Sequence, residues 1–190
     1  MINQLRMNEE GGDYGAAAAM AVDRMVSAGV VDRFLGERPV DVREMSKALG
    51  IRIETKALPD SISGKIERVG LFGDDYVITV NSGHSATRQR FTIAHEIAHF
   101  ILHRDLIGDG IVDDALYRDH RLGDERERQA NRYAASLLMP RRQVREAWDN
   151  GAITKGALAR AFDVSPAVAE IRMRELGCVL WPKPAQNQVF

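Results

Sequence analysis

The chain has one cysteine, no long apolar run and almost no surplus of either charge. A single cysteine, Cys178, cannot form an intramolecular disulfide, which is typical of proteins from a reducing compartment. No stretch approaches the roughly 20 apolar residues that a membrane-spanning helix needs. The short apolar segment at residues 14–22 follows acidic residues, whereas a signal peptide carries positive charge there. These absences predict a cytoplasmic protein without a membrane span.

The charged residues nearly balance, with 26 lysines and arginines against 27 aspartates and glutamates among 190 residues. This balance argues against broad electrostatic binding to nucleic acids or anionic membranes. Hydrophobic residues make up 45% of the chain and charged residues 28%, the proportions of an ordinary globular protein. A chain of this length forms one domain with a substantial core, or one domain with a small appendage.

The spacing of apolar residues changes along the first half of the chain. Helices are predicted at about residues 14–35 and 42–49, the second with Asp41 as its N-cap. Alternating patterns then predict three strands at about residues 51–55, 66–71 and 76–80. The last two are expected to form a hairpin that turns through residues 73–75. We therefore expect an α+β fold, with a small antiparallel or mixed sheet packed on helices.

The second half of the chain is predicted to be helical. A helix over about residues 85–103 is apolar on nearly all sides, which places it in the core. A polar loop over residues 104–123 precedes a helix over about residues 125–139, and shorter helices follow. We expect one domain over residues 1–140 and a C-terminal helical extension and tail over residues 141–190.

The predicted core helix carries two histidines and a glutamate in the pattern His95, Glu96 and His99. Four helical residues rise about 6 Å and complete a little more than one turn, so the two imidazoles lie on one face. That spacing suits one zinc ion, with Glu96 placed to accept a proton from water on the metal. A lone histidine is more often an ordinary core or surface residue. This trio on an apolar helix favours a catalytic zinc site instead.

Three residues are considered for the third protein ligand of such a site. His103 lies about 12 Å from His95 along an unbroken helix, which is too far to share the metal. Asp105 would require the helix to break near Leu102, a residue that instead continues the helix. Glu127, on the next helix, is favoured over both.

Glu127 aligns at helical spacing with an apolar stripe on its own helix, made of Ala130, Ala134, Leu137 and Leu138. The alignment predicts that Glu127 and Asn131 face the core, whereas Glu125 faces solvent. Asn131 is expected to accept a hydrogen bond from the second ring nitrogen of His95. The alternative is that Glu127 only completes a capping box with Asp124.

Two blocks of sequence carry a family resemblance. The first is Arg-Gln-Arg-Phe-Thr-Ile-Ala-His-Glu-Ile-Ala-His at residues 88–99. The second is Glu-Arg-Gln-Ala-Asn-Arg-Tyr-Ala-Ala at residues 127–135, followed by Leu-Leu-Met-Pro at residues 137–140. In this order and with this separation they resemble the ImmA/IrrE family of metallopeptidases, and the resemblance extends from about residue 39 to residue 140.

The resemblance implies a compact, zincin-like domain of the gluzincin type. It implies one zinc ion per chain, held by His95, His99 and Glu127, with Glu96 as the general base. It also implies that the substrate is a helix-turn-helix transcriptional repressor, or a similar antitoxin-type partner, whose cleavage relieves repression in a stress response. Relatives often have glutamate where this chain has Gln129, a position that the helical spacing places on the solvent side.

Residues 158–176 have the spacing of a helix-turn-helix, with Ser165 as N-cap and Pro166 in the first turn of the second helix. That second helix mixes acidic and basic residues and offers few side chains that read bases. Packing or docking of the substrate is therefore favoured over direct DNA binding.

Two questions stay open at the level of sequence. Either Tyr117 or His120 could stabilise the oxyanion that peptide hydrolysis generates. The favoured function is a zinc metalloendopeptidase. Its alternatives are a zinc-containing DNA-binding regulator and a module that binds a repressor without cleaving it.

Overall fold

A computed structural model describes residues 25–70, 75–107 and 120–181 of the chain. The strands are β1 (Ile51–Lys56), β2 (Gly64–Val69) and β3 (Asp75–Asn81). The helices are α1 (residues 25–32), α2 (Val42–Ala48), α3 (Ala86–Leu102), α4 (His120–Leu138), α5 (Arg141–Asp149), α6 (Lys155–Phe162) and α7 (Pro166–Leu176). Short 3-10 turns follow α3 at Arg104–Leu106 and α7 at Cys178–Leu180. The predicted α+β class is confirmed.

The three strands form a mixed sheet in the order β1-β3-β2. Strand β2 pairs antiparallel with β3, as the predicted hairpin requires. Residues 71–74, which include most of the predicted turn at residues 73–75, lie outside the described residues. Strand β1 pairs parallel with β3, so that Ile53 and Ile66 are both partners of Ile78. Every residue of β3 after Asp75 is buried, which is typical of a central strand covered on both faces.

Helix α3 lies at the centre of the molecule, because it packs on α4 as well as on β2 and β3. Its side chains Ile93, Ala94, Ile97 and Ala98 are almost completely buried, as predicted for a core helix. Helix α7 in turn packs on α4. None of the helices in the described residues has the length and apolar character needed to cross a membrane.

The segment before α4 differs from its prediction. The loop expected over residues 104–123 is shorter, because α4 already begins at His120 and the chain makes a 3-10 turn after α3. Gly123 therefore lies inside a helix, where glycine costs about 1 kcal/mol relative to alanine. The packing of α4 on α3 outweighs that local preference.

A buried asparagine shapes the loop that leads into β2. The Nδ2 of Asn81 donates to the carbonyl oxygens of Leu58, Pro59 and Ile62 at 2.8–3.1 Å. Its Oδ1 accepts from the backbone N–H of Gly83 at 2.9 Å. Asn81 is 1% exposed, so these bonds replace water that it cannot reach. The result is a fixed approach of the chain to the start of β2, beside α3.

Candidate metal centre

Helix α3 places two imidazoles one turn apart. The helix begins after Ser85, whose Oγ accepts a hydrogen bond from the Arg88 N–H at 3.4 Å, and it continues to Leu102. The Nε2 atoms of His95 and His99 lie 2.9 Å apart, so both rings present the same nitrogen to one point. His99 is 5% exposed, which holds its ring within the packed interior.

Helix α4 brings a carboxylate to the same point. Glu127 Oε2 lies 3.2 Å from His95 Nε2, and Oε1 lies 3.2 Å from His99 Nε2. One ligand atom from each of the three residues lies within 4.8 Å of the others. The structure thus brings all three predicted ligands together. Two imidazoles and a carboxylate are a donor set that suits a catalytic zinc ion.

One expectation about Glu127, and the alternative to it, are wrong. Its side chain is 49% exposed instead of facing the core, although it contacts both His95 and His99 of α3. Asn131 is exposed in the same way. The capping alternative also fails, because α4 starts at His120 and Asp124 is itself helical. The orientation of the Glu127 side chain is therefore set by its contacts with the two histidines and not by burial.

The other candidates for the third ligand are not part of this group of residues. Asp105 belongs to the 3-10 turn after α3, and within the described part of the chain the clustered donors include neither Asp105 nor His103. Glu125 is exposed and pairs with Arg128 at 2.7 Å, which confirms its predicted position on the solvent side.

The charges of the site are coupled. Hydrogen bonds from His95 and His99, with the charges of those rings, hold the pKa of Glu127 well below its ordinary value, although burial acts in the opposite direction. Burial on its own lowers the pKa of His95. The hydrogen bond to Glu127, the charges of Glu96 and Glu127 and the contact with Asn131 outweigh burial and raise that pKa.

The remaining ring nitrogens of both histidines have partners. His95 Nδ1 lies 3.1 Å from Asn131 Oδ1, the contact that the sequence predicted. His99 Nδ1 lies 3.3 Å from His103 Nδ1, and His103 Nε2 lies 3.2 Å from Gln129 Oε1. These contacts fix the orientation of each ring and leave Nε2 of His95 and His99 for a metal.

Sequence reasoning missed the contact between His103 and Gln129. Gln129 is exposed, as its position on the helical wheel indicated, but its amide still reaches the buried ring of His103. A signal was present, because His103 follows His99 by one further helical turn and therefore lies beside it. Burial lowers the pKa of His103, and the nearby His99 acts in the same direction.

Glu96 lies on the wall of a cavity next to the histidines. The cavity has a volume of about 350 Å³ and is lined by Glu96, His95, Asn131, Phe91, Thr92, Arg88, Ser63 and Gly64. Glu96 is 7% exposed, so the walls exclude most water from its carboxylate. A carboxylate in that position, beside three metal donors, can exchange a proton with a reactant in the cavity.

Gly64 lets strand β2 approach this cavity closely. A Cβ at this position would lie 2.5 Å from the Thr79 carbonyl oxygen and 2.5 Å from Thr92 Cγ2. Arg88 also connects α3 to the residue before β2, because its Nη2 donates a hydrogen bond to Ser63 Oγ at 2.9 Å. The start of β2 is thereby held against α3, two turns before Glu96.

The two candidates for the oxyanion donor are not resolved further. Tyr117 lies outside the described residues, and His120 begins α4 with a side chain that is likewise outside them. Both assignments stay predictions.

The profile of the IrrE N-terminal-like domain matches residues 47–174, which include both ligand helices. The chain belongs to this metallopeptidase family. The match begins inside α2 and ends inside α7, so the three-stranded sheet and the clustered donors all lie within the family domain. The resemblance inferred from the two sequence blocks is confirmed.

Several characterised relatives of this family are named as metallopeptidases. The chain is 41% identical over 95 residues to the radiation response metalloprotease IrrE of Deinococcus radiodurans, which covers 48% of this chain and 28% of the relative. It is 37% identical over 107 residues to the protein of the same name from Deinococcus deserti, or 54% of this chain and 37% of the relative. It is 29% identical over 106 residues to the metallopeptidase ImmA of Bacillus subtilis, or 55% and 59%.

The chain thus matches between 28% and 59% of the length of these curated relatives. Among solved structures, a Mycobacterium tuberculosis transcriptional regulator superposes with a TM-score of 0.54. That alignment has 22% identity and covers 81% of this chain and 46% of the other. At such identity the likeness shows a shared fold.

Proposed function

We propose that the chain is a cytoplasmic zinc metalloendopeptidase. One zinc ion would be held by His95, His99 and Glu127, with Glu96 as the general base. The observation that carries this proposal is the convergence of three donor atoms within 4.8 Å, beside a buried carboxylate that lines an open cavity. Three protein ligands leave one coordination position for a reactant, which distinguishes a catalytic zinc site from a structural one.

The residues of the chain have separate tasks in this reaction. Zinc held by His95, His99 and Glu127 would supply Lewis-acid activation of a water molecule and of the scissile carbonyl. Glu96 accepts the proton from the attacking water and delivers it to the leaving amine nitrogen. Asn131 and His103 hold the rings of His95 and His99, and the surrounding walls keep other water away from Glu96.

A peptide substrate would bind as an extended strand along the edge of the sheet. Among the described strands, β2 pairs only with β3, and its start at Gly64 lines the same cavity as Glu96. Adding a strand to a free edge satisfies backbone hydrogen bonds without requiring a particular sequence. This arrangement would bring one amide bond next to Glu96.

The substrate is proposed to be a helix-turn-helix repressor or antitoxin-type partner. Family membership and the names of the metalloprotease relatives support an activity on other proteins. An extended segment is required, so the cut should fall in a loop or in a helix that frays. Separating the DNA-binding part of a repressor from its dimerising part would weaken its hold on two half-sites.

Direct DNA binding finds little support in the C-terminal helices. Arg172 of α7 donates to the Met139 carbonyl oxygen at 3.0 Å and pairs with Glu175 at 3.1 Å. The guanidinium of Arg172 is therefore already bonded within the chain, which counts against its use in binding DNA. The division into a peptidase domain over residues 1–140 and a helical extension over residues 141–190 is kept as part of the proposal.

The proposed function is tested by co-expression with a helix-turn-helix repressor encoded beside the chain, followed by intact mass measurement. We expect two repressor fragments with the wild type, and none with Glu96→Gln or after treatment with a chelator. A repressor that stays intact while stably bound to the zinc-loaded wild type would contradict the peptidase and favour the binding module.

A further inference from the structure

An apolar groove runs between α4 and α7, next to the candidate metal centre. Its volume is about 400 Å³. The buried side chains of Ala135 and Val168 line it, together with Phe91, Ala167 and Ile171. Arg128, Arg132 and Glu175 also line it and give the groove polar borders. A cavity of this size and lining has the dimensions of a site for a ligand or for a large side chain.

The groove is adjacent to the cavity that Glu96 lines. Phe91 and Asn131 line both spaces. Asn131 is also the hydrogen-bond partner of His95, with 3.1 Å between Oδ1 and Nδ1. A group in the groove is thus separated from a candidate metal ligand by a single side chain. A peptide with its scissile bond at Glu96 has the groove within reach of an adjacent residue.

The groove also leaves an apolar side chain in contact with water. Ile171 is 50% exposed, although α7 directs it towards the groove that Val168 and Ala135 line. Covering such a side chain with another apolar group is favourable in proportion to the area removed from water. The chemistry of the lining therefore selects an apolar occupant, while the polar borders suit the backbone on either side of it.

We propose that this groove is a substrate subsite that receives a large apolar side chain from the residue next to the scissile bond. The proposal rests on the proposed peptidase function and adds the substrate class: extended peptides with leucine, isoleucine, methionine or phenylalanine beside the cut. It also assigns a role to α7, which forms one wall of the subsite and selects peptides.

The test uses hydroxamates, which bind zinc and carry a side chain towards one side of the metal. Two probes place an isobutyl group on either side of the zinc-binding group: N-acetyl-leucine hydroxamate and isobutylsuccinyl hydroxamate. Each is compared with its analogue that lacks the isobutyl group, by calorimetry on the zinc-loaded chain. We expect one of the two isobutyl probes to bind about tenfold or more tightly than its analogue, the discrimination that a hydrophobic pocket gives.

A pair of substitutions on α7 locates the effect. Ala167 is exposed and lines the groove, so Ala167→Trp fills the groove without disturbing the core. This variant should lose the preference for the isobutyl probe and keep its zinc. Arg174 is exposed on the same helix and does not line the groove, so Arg174→Trp should keep the preference. Equal affinity for both members of each probe pair, or a preference that survives Ala167→Trp, overturns the subsite.

Cleavage of a peptide library prepared from a bacterial proteome separates this proposal from the function on which it rests. Apolar residues enriched beside the cut, and lost in Ala167→Trp, support both. Cleavage without that enrichment contradicts the subsite and leaves the peptidase standing. An isobutyl preference that Ala167→Trp removes, in a zinc-loaded chain that cuts no peptide, shows an apolar ligand site but contradicts the peptidase and, with it, the assignment of the groove to a substrate residue.

Discussion

The two helices that build the candidate metal centre hold their ligands in different ways. In α3 the ligand His99 is 5% exposed and the neighbouring Glu96 is 7% exposed, so both lie in the core. In α4 the Glu127 side chain is 49% exposed and reaches the site from the neighbouring helix. Packing fixes the α3 side chains, whereas Glu127 is held mainly by its bonds to the two imidazoles.

This difference shows that burial and function are separate signals in one site. A buried glutamate or histidine among apolar residues is conspicuous, because such groups are costly to bury without partners. A half-exposed glutamate on an amphipathic helix resembles any solvated residue. The α3 half of the site should therefore respond to substitution through chemistry and packing together, and the α4 half through metal binding alone.

The largest effect is expected at Glu96, where the chemistry can be removed with little change of shape. Glu96→Gln should lower the rate of peptide cleavage roughly 10²- to 10⁴-fold, because the amide cannot accept a proton from water. Zinc content, measured by elemental analysis, should stay at that of the wild type. Loss of zinc in this variant would assign Glu96 a role as ligand instead of base.

The difference between the two helices is tested most directly by removing one metal ligand from each. His99→Ala and Glu127→Ala should both reduce bound zinc from about one per chain to a small fraction, because each removes one of three ligands. Only His99→Ala should also lower the thermal midpoint of the metal-free chain, since only that ring is buried.

Glu125→Ala is the matched control for Glu127→Ala. Glu125 is exposed on the same helix, where it pairs with Arg128 and accepts a hydrogen bond from the Gln129 amide at 3.3 Å. It is not one of the three clustered donors, so its loss should change zinc binding far less than the loss of Glu127. Full zinc content in Glu127→Ala, together with loss of zinc in Asp105→Ala, would show that the third ligand is wrongly assigned.

A smaller effect is expected at Gln129, which holds His103 and through it His99. Gln129→Leu should weaken zinc affinity by about 10- to 100-fold, the usual effect of removing a partner of a metal-binding histidine. Gln129→Glu keeps an oxygen that accepts from His103 Nε2, so it should retain affinity near that of the wild type. Competition with a chromophoric chelator measures both values, and equal affinity in the two variants would contradict the role of Gln129.

The last effect is expected where β2 approaches α3, and it concerns the stability of the fold. Gly64→Ala should destabilise the fold by about 1–3 kcal/mol, the usual cost of overpacking, because its Cβ would meet Thr79 and Thr92 at 2.5 Å. Gly36→Ala is the control, since no atom lies within 4 Å of a Cβ there. Urea unfolding gives both free energies, and equal stability of the two variants would mean that β2 moves away without cost.

Local sequence was sufficient for those features that depend on neighbours along the chain. The spacing of His95 and His99 determined that their rings lie one turn apart, because helix geometry repeats every 3.6 residues. The N-caps Asp41 and Ser165 were predicted, and their side chains accept hydrogen bonds from the backbone N–H groups of Glu44 and Val168. Caps depend on only the next three residues, so no tertiary contact is needed to specify them.

The contacts between distant segments were decided only by the tertiary structure. The parallel pairing of β1 with β3 could not be read from alternation, which is the same for either direction of pairing. The exposure of Glu127 depends on how α4 packs on α3, which the pattern along α4 does not specify. The reach of Gln129 to His103 depends on how closely α3 and α4 approach. The sequence by itself thus determined which residues have the chemistry of a metal site. The packing of α4 on α3 decided how those residues meet, because distances between helices are set by the whole core and not by either helix alone.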